Sequence, residues 1–354
     1  MCLQNSRTTS RSRIQKKRRA RRMQVGRILC YVVLIGLCCF GLWQMEAGRN
    51  HGRRIPEMPS KIILTDEETE TSDGRSWKTG DITMKSLYSK YAILLDADTG
   101  EVLAEKNSKE RIYPASMTKL MAALVAVEHT EEWDVEVEIP QKIYSKLYLE
   151  HASLAGFEPD EKVSPEDLLY GMLLPSGAEC CTTYALWLAG DEKIFVEWMN
   201  EKAEELGMES THFMNTTGLH DEKHYSTVED MAVLLYQCLQ NETLRLVLST
   251  PSYQTTPTTQ HPQGLTLEST LFQALEDRMD VSDTGLLGGK TGYTSQAGLC
   301  LASFAEIGGR EYILVTAGAD GNHYTESFHI EDALNVYNQV SELSLFLNPI
   351  SILW

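Results

Sequence analysis

The stretch Tyr113-Pro114-Ala115-Ser116-Met117-Thr118-Lys119-Leu120-Met121 contains the only Ser-x-x-Lys of this 354-residue chain. On a helix, positions i and i+3 share a face, so the amine of Lys119 reaches the hydroxyl of Ser116 and can take its proton as attack begins. Pro114 upstream and the apolar run Leu120 to Val127 downstream predict a helix that opens at the serine. The N-terminal dipole of that helix favours negative charge developing there. A hydroxyl nucleophile and an amine base one turn apart are the minimum apparatus for acyl transfer, although four residues of this kind also fit an ordinary buried helix start.

Two further elements favour the chemistry. Lys290-Thr291-Gly292 lies in a glycine-flanked string at 288–298 and precedes two β-like runs, Leu299 to Phe304 and Tyr312 to Thr316, with Gly308-Gly309 between them. The pattern predicts an edge strand followed by a hairpin. A lysine and a hydroxyl on such a strand can meet a carboxylate, and the glycines let backbone approach a ligand closely. Ser176-Gly177-Ala178 follows the apolar segment Leu168 to Leu174 and Pro175, at the mouth of another expected helix, where its hydroxyl can relay a proton.

In that order, the three elements resemble the motifs of the penicillin-recognising serine hydrolases. The closer resemblance is to the low-molecular-weight D-alanyl-D-alanine carboxypeptidases. It runs from about Lys85 to about Tyr337 and includes the strings at 94–103, 199–208 and 211–220. The resemblance implies an α+β, β-lactamase/DD-peptidase-like fold, with an antiparallel sheet flanked by helices, a helical lobe, and the active site between them. It implies Ser116 as the nucleophile that forms an acyl-enzyme, Lys119 as general base and Ser176 as proton shuttle. Lys290 would set the electrostatics, Thr291 would bind the substrate carboxylate, and the amides of Ser116 and Tyr293, beside Gly292, would form the oxyanion hole. No metal or cofactor is implied. The expected partners are peptidoglycan stem peptides and, as inhibitors, β-lactam antibiotics.

The chain departs from the family pattern at Ala178, where an asparagine is usual. Loss of one such contact costs on the order of 1–3 kcal/mol, or roughly tenfold to hundredfold in rate, which weakens a catalyst without abolishing it. The arginine that often holds the substrate carboxylate also has no counterpart, since Gly318-Ala319-Asp320 falls near its position. The function expected is a serine-type D-Ala-D-Ala carboxypeptidase. The alternatives are a DD-transpeptidase or a catalytically weak or inactive penicillin-binding relative that binds wall peptides or regulates partners. A β-lactamase would need a glutamate-containing loop for the deacylating water, and no Glu-x-Glu-Leu-Asn-like element follows Ser176.

Residues 1–27 hold ten Lys and Arg and no acid, and 28–45 is an uncharged run long enough to span a bilayer. Met45-Glu46-Ala47 is a poor cleavage site, so the pattern predicts an uncleaved signal anchor with a cytoplasmic N-terminus and an extracytoplasmic catalytic domain in the cell membrane. The formal charge is −18, and 1–45 contributes +10, leaving −28 on the exported part. Such a domain does not bind nucleic acid through bulk charge. Residues 46–82 resemble an acidic, extended stalk, and 83–354 form the catalytic domain, with a helical lobe at about 125–250. Relatives often add a small β domain and an amphipathic tail. Here about seventeen residues follow Tyr337, so the N-terminal span is expected to serve as the anchor.

Several local patterns read as structure. Lys78-Thr79-Gly80 repeats the triplet but precedes Ser116 in a polar stretch. His220 and His224 imitate a zinc-binding pair, yet no glutamate follows the first histidine, and the segment leads into a helix capped at Ser226/Thr227. The exported cysteines, Cys180, Cys181, Cys238 and Cys300, allow three pairings. Cys180, Trp187 and Trp198 are expected to pack in the core.

Overall fold

The residues that form the large sheet show why it is buried on both faces. In the strand Tyr91–Asp96 (β1), Ile93 and Leu95 belong to one apolar cluster while Ala92 and Leu94 belong to another. The same alternation recurs in Gly298–Ile307 and Arg310–Ala319, as the two-residue period of a strand requires. This computed structural model describes residues 69–70, 76–77, 82–276, 284–322 and 324–347. The basic segment 1–27, the apolar run 28–45, the second Lys-Thr-Gly at 78–80 and nearly all of the expected stalk lie outside the described residues. Within the stalk region, Thr69–Glu70 pairs antiparallel with Ser76–Trp77. Among the described residues no helix is long and apolar enough to cross a membrane.

The sheet has five antiparallel strands. Val102–Lys106 (β2) pairs with β1, Leu286–Thr294 (β3) with Gly298–Ile307 (β4), and β4 with Arg310–Ala319 (β5), giving the spatial order β2-β1-β5-β4-β3. The Lys-Thr-Gly strand is therefore an edge, as its flanking glycines suggest, and the expected Gly308-Gly309 turn joins β4 to β5.

The helices are Thr118–His129 (α1), Tyr144–Leu149 (α2), Pro165–Leu173 (α3), Ala178–Ala189 (α4), Glu192–Glu205 (α5), Val228–Gln240 (α6), Glu242–Leu248 (α7) and Phe328–Leu347 (α8). On α8, Ile330, Ala333, Leu334, Tyr337 and Val340 follow the helical period and cover one sheet face. Tyr337 adds a hydroxyl contact of 3.0 Å to Ser303 on β4. The other face is covered by α6, which packs against β1, β4 and β5. The helix carrying Lys119 does not form that cover but lies deeper, against α3, α4, α5 and α6. Its segment 120–126 is buried all round, so no polar face turns it toward solvent.

Caps fix the helix starts. Thr227 accepts from the Asp230 amide, as the sequence predicts, and Ser164 with Asp167 completes a capping box at α3. Cys180, Cys181, Cys238 and Cys300 are free and buried. Trp187 packs edge-on to Tyr184, and Trp198 stacks on His129, so both serve the core.

At the hairpin joining β1 to β2, the buried Asp96 accepts from the Asp98 and Thr99 amides and pairs with Arg310 at 2.5 Å. Burial raises its carboxyl pKa and the Arg310 charge opposes the rise. Arg310→Leu leaves that carboxylate without its cation and is expected to cost about 3–5 kcal/mol. Urea unfolding at pH 7 should show the full loss, and the loss should shrink at acid pH as Asp96 takes a proton.

Candidate active site

Ser116 sits in a 3-10 turn, Ala115–Met117, one step before α1 begins at Thr118. The spacing argument survives this shift: Lys119 Nζ lies 2.9 Å from Ser116 Oγ. Ala115, just before Ser116, has φ +47°, and Ser176 has φ +67°. Left-handed backbone at two non-glycine residues costs about 1–2 kcal/mol each. Both residues are in elements expected to act on substrate, where such strain tends to be kept.

Lys119 is almost wholly buried, and its amine also donates to the carbonyl of Thr217 at 2.7 Å. Burial lowers its pKa, while the nearby Cys181, Glu179 and Cys180 groups act in the opposite direction. In the structure the amine donates to both Ser116 Oγ and the Thr217 carbonyl; once it loses its proton it can keep an N–H for Thr217 and turn its lone pair to the serine O–H. This is the arrangement a general base needs.

The Thr217 carbonyl is a site group that sequence reasoning missed. Asn215 builds its turn: Oδ1 accepts from the amides of Thr217 and Gly218, and Nδ2 donates to the Leu219 carbonyl. Gly218 has φ +81°, and a Cβ there would fall 1.8 Å from the Ala115 carbonyl oxygen, so only glycine lets the turn seat against the Ala115–Met117 turn. His224 braces the same turn. Its Nδ1 accepts from the Met214 amide at 3.1 Å, which leaves Nε2–H to donate to Thr118 Oγ1 at 2.8 Å. Burial pushes its pKa down to about 4, so the ring is neutral and both nitrogens are engaged within the fold.

On the other side of Ser116 lies β3. A Cβ on Gly292 would stand 3.0 Å from the Ser116 amide nitrogen and 3.2 Å from that of Met117, so the absent side chain lets the strand meet the turn. Two residues earlier, Lys290 is buried and donates to the Thr291 carbonyl at 3.0 Å. Burial, and then the Lys119 charge, hold its pKa well below the usual lysine value. Thr291 Oγ1 contacts Thr270 Oγ1 at 2.6 Å, a second residue the sequence did not single out. Tyr293 continues β3, paired with Leu299.

Ser176 precedes α4, whose N-cap is Gly177. Its hydroxyl is buried without a hydrogen-bond partner among the described residues, Lys119 included. Ala178 is buried and donates its amide to the Ser153 carbonyl at 2.8 Å. Its side chain supplies no polar atom beside Ser176.

The next residue, Glu179, is fully buried. Oε1 accepts from the amides of Ala155 and Gly156 at 2.6 and 3.0 Å, which ties the segment at 155–156 to the start of α4. Burial raises its pKa to about 7, against those amides and the Lys119 charge. The folded-state value lies above the usual carboxyl value of 4.5, so the fold is favoured by protonation and loses stability as pH rises from about 4.5 through about 7. Glu179→Gln should remove that slope. Thermal melts across this range should show the wild type declining relative to the variant, by on the order of 3 kcal/mol.

The structure therefore gathers Ser116, Lys119, Lys290, Thr291 and Gly292, with Ser176 just ahead of the N-cap of α4. The sequence profile of the D-alanyl-D-alanine carboxypeptidase family matches residues 79–321. The chain belongs to that family. D-alanyl-D-alanine carboxypeptidase DacF of Bacillus subtilis is 34% identical over 236 residues, covering 65% of this chain and 57% of that protein. DacD of Escherichia coli, a D-alanyl-D-alanine carboxypeptidase, is 32% identical over 234 residues, covering 64% of this chain and 58% of its own. The chain thus matches somewhat over half the length of these curated relatives. Among solved structures, the Streptomyces K15 DD-transpeptidase superposes with a TM-score of 0.65 at 26% identity, over 73% of this chain and 98% of that one. The fold is accordingly the α+β DD-peptidase fold that the motifs imply, and the family is one of serine hydrolases.

Proposed function

We propose that this protein is a serine-type D-Ala-D-Ala carboxypeptidase that removes the terminal D-alanine from peptidoglycan stem peptides and is acylated by β-lactam antibiotics. The observation that carries the proposal is the 2.9 Å contact between Ser116 Oγ and a buried Lys119 amine whose pKa is lowered, in a chain of this family. Ser116 Oγ attacks the carbonyl of the penultimate D-alanine as its proton passes to Lys119, and the Ser116 amide, with that of Tyr293, receives the oxyanion. The C–N bond then breaks. The leaving amine takes a proton relayed by Ser176, and water hydrolyses the ester. Lys290 and Thr291 hold the terminal carboxylate on the β3 edge.

The named relatives are D-alanyl-D-alanine carboxypeptidases, while one of the similar structures is described as a DD-transpeptidase, so transfer of the acyl group to an amine is the partition to test against hydrolysis. Incubation with a peptide ending in D-Ala-D-Ala, with and without an amine acceptor, tests the reading. The carboxypeptidase proposal expects D-alanine release with the shortened acid as main product. Release only when the acceptor is added, with a transfer product, would replace hydrolysis by transpeptidation, and no release would remove the activity.

The basic 1–27 followed by the uncharged 28–45 supports a further part of the proposal, a single N-terminal span with the catalytic domain outside the cytoplasm. The full chain should sediment with membranes, resist alkaline carbonate and be digested by protease added outside spheroplasts. Extraction by carbonate, or protection from that protease, would contradict it.

A further inference from the structure

Beside the nucleophile's turn, a cavity of about 260 Å³ opens between α2, α4, the start of α5 and the Thr217 to Leu219 turn. Its connection to the site is direct, because Thr217 lines it and the Thr217 carbonyl receives the Lys119 amine that contacts Ser116. The floor is aliphatic, formed by Ile143, Leu147, Leu186 and Leu219. One wall carries a row of Lys142, from the 3-10 turn at 141–143, Lys146 on α2 and Glu150 at the C-cap of α2. Both lysines are exposed, and among the described residues neither has an ion-pair or hydrogen-bond partner. Glu192 on the opposite wall is already occupied, its Oε1 accepting from the Thr216 amide and hydroxyl.

The volume falls just short of the roughly 300–1,000 Å³ usual for small-molecule sites. It suits one or two side chains of an extended peptide. A cavity with an aliphatic floor, two unpartnered cations at its lip and a lining residue, Thr217, whose carbonyl holds the Lys119 amine fits a peptide already held at Ser116. We propose that it is the subsite for the acyl-donor peptide upstream of the scissile bond, taking an aliphatic stem on its floor and a carboxylate at Lys142 and Lys146. Glu150 ends the row, so the carboxylate seats toward Lys142. The inference rests on the peptidase reading above and names what that site selects.

Binding can be measured without turnover on the full chain carrying Ser116→Ala. The probes are two labelled peptides ending in D-Ala-D-Ala, identical except that a residue within three positions upstream bears a carboxylate or its carboxamide. The carboxylate peptide is expected to bind about tenfold more tightly at low salt, and Lys142→Gln with Lys146→Gln should erase that preference while leaving carboxamide affinity unchanged. Equal affinities, a preference that persists in the double variant, or no binding of either peptide would overturn the proposal. Failure of the peptidase reading appears separately, as absence of D-alanine release by the wild-type chain.

Discussion

Lys119→Met is expected to slow acylation by penicillin at least roughly 10³-fold at neutral pH while the protein stays folded. General-base catalysis by a positioned group contributes about 10²–10⁴-fold, and groups that act as a unit with the nucleophile lie at the upper end. The methionine side chain fills a buried site without bringing a charge there, so stability should hold even though the Thr217 carbonyl loses a donor. The pH dependence separates this cause from a packing defect. Burial lowers the Lys119 pKa from 10.5, so acylation by the wild type should rise with pH as the amine loses its proton and level off above that point. The variant should lack this limb. A rate within tenfold of wild type, or the same pH limb, would remove Lys119 from the role of base.

Gly218→Ala should have the largest effect of any single methyl addition near the site. At φ +81° the new Cβ would meet the Ala115 carbonyl oxygen at 1.8 Å, and neither backbone can withdraw without moving Ser116 or Thr217. Destabilisation above about 3 kcal/mol is expected, which corresponds to a melting point roughly 6–12 °C lower, with acylation slowed in the remaining folded protein. Gly207 is the control. It has φ +71° but nothing within 4 Å of its Cβ position, so Gly207→Ala should cost only about 1–2 kcal/mol from the backbone and leave acylation unchanged. Equal effects of the two substitutions would mean that the close approach at Ala115 has no consequence.

The parts of the site that were legible in the sequence are those whose chemistry resides in side chains at fixed local spacing. Ser116 with Lys119 follows from the helical turn, and Lys290 to Gly292 from glycines beside an alternating strand. The Thr227 cap and the Gly308-Gly309 hairpin follow from turn chemistry. Thr217 was not legible, because it contributes a backbone carbonyl, and any residue type carries one. Glu179 reads in sequence as an acidic residue favoured by the first turn of a helix, yet the amides of Ala155 and Gly156 draw it fully inside. Thr270 meets Thr291 only because the chain returns to the sheet edge after α7. Periodicity identified the apolar faces of the helices but not their partners. For that reason α6, rather than the helix of Lys119, covers the sheet. The pairing of β1 with β5 joins strands more than two hundred residues apart, a register that no local pattern encodes.

The central claim is that Ser116, activated by Lys119, is the acylated nucleophile. Its most direct test is the intact mass of the full chain after brief exposure to penicillin, with the adduct mapped by peptide digestion. The account predicts one adduct, located on Ser116, in wild type and none in Ser116→Ala under the same conditions. An adduct on another residue, or an equal adduct in the alanine variant, would contradict it.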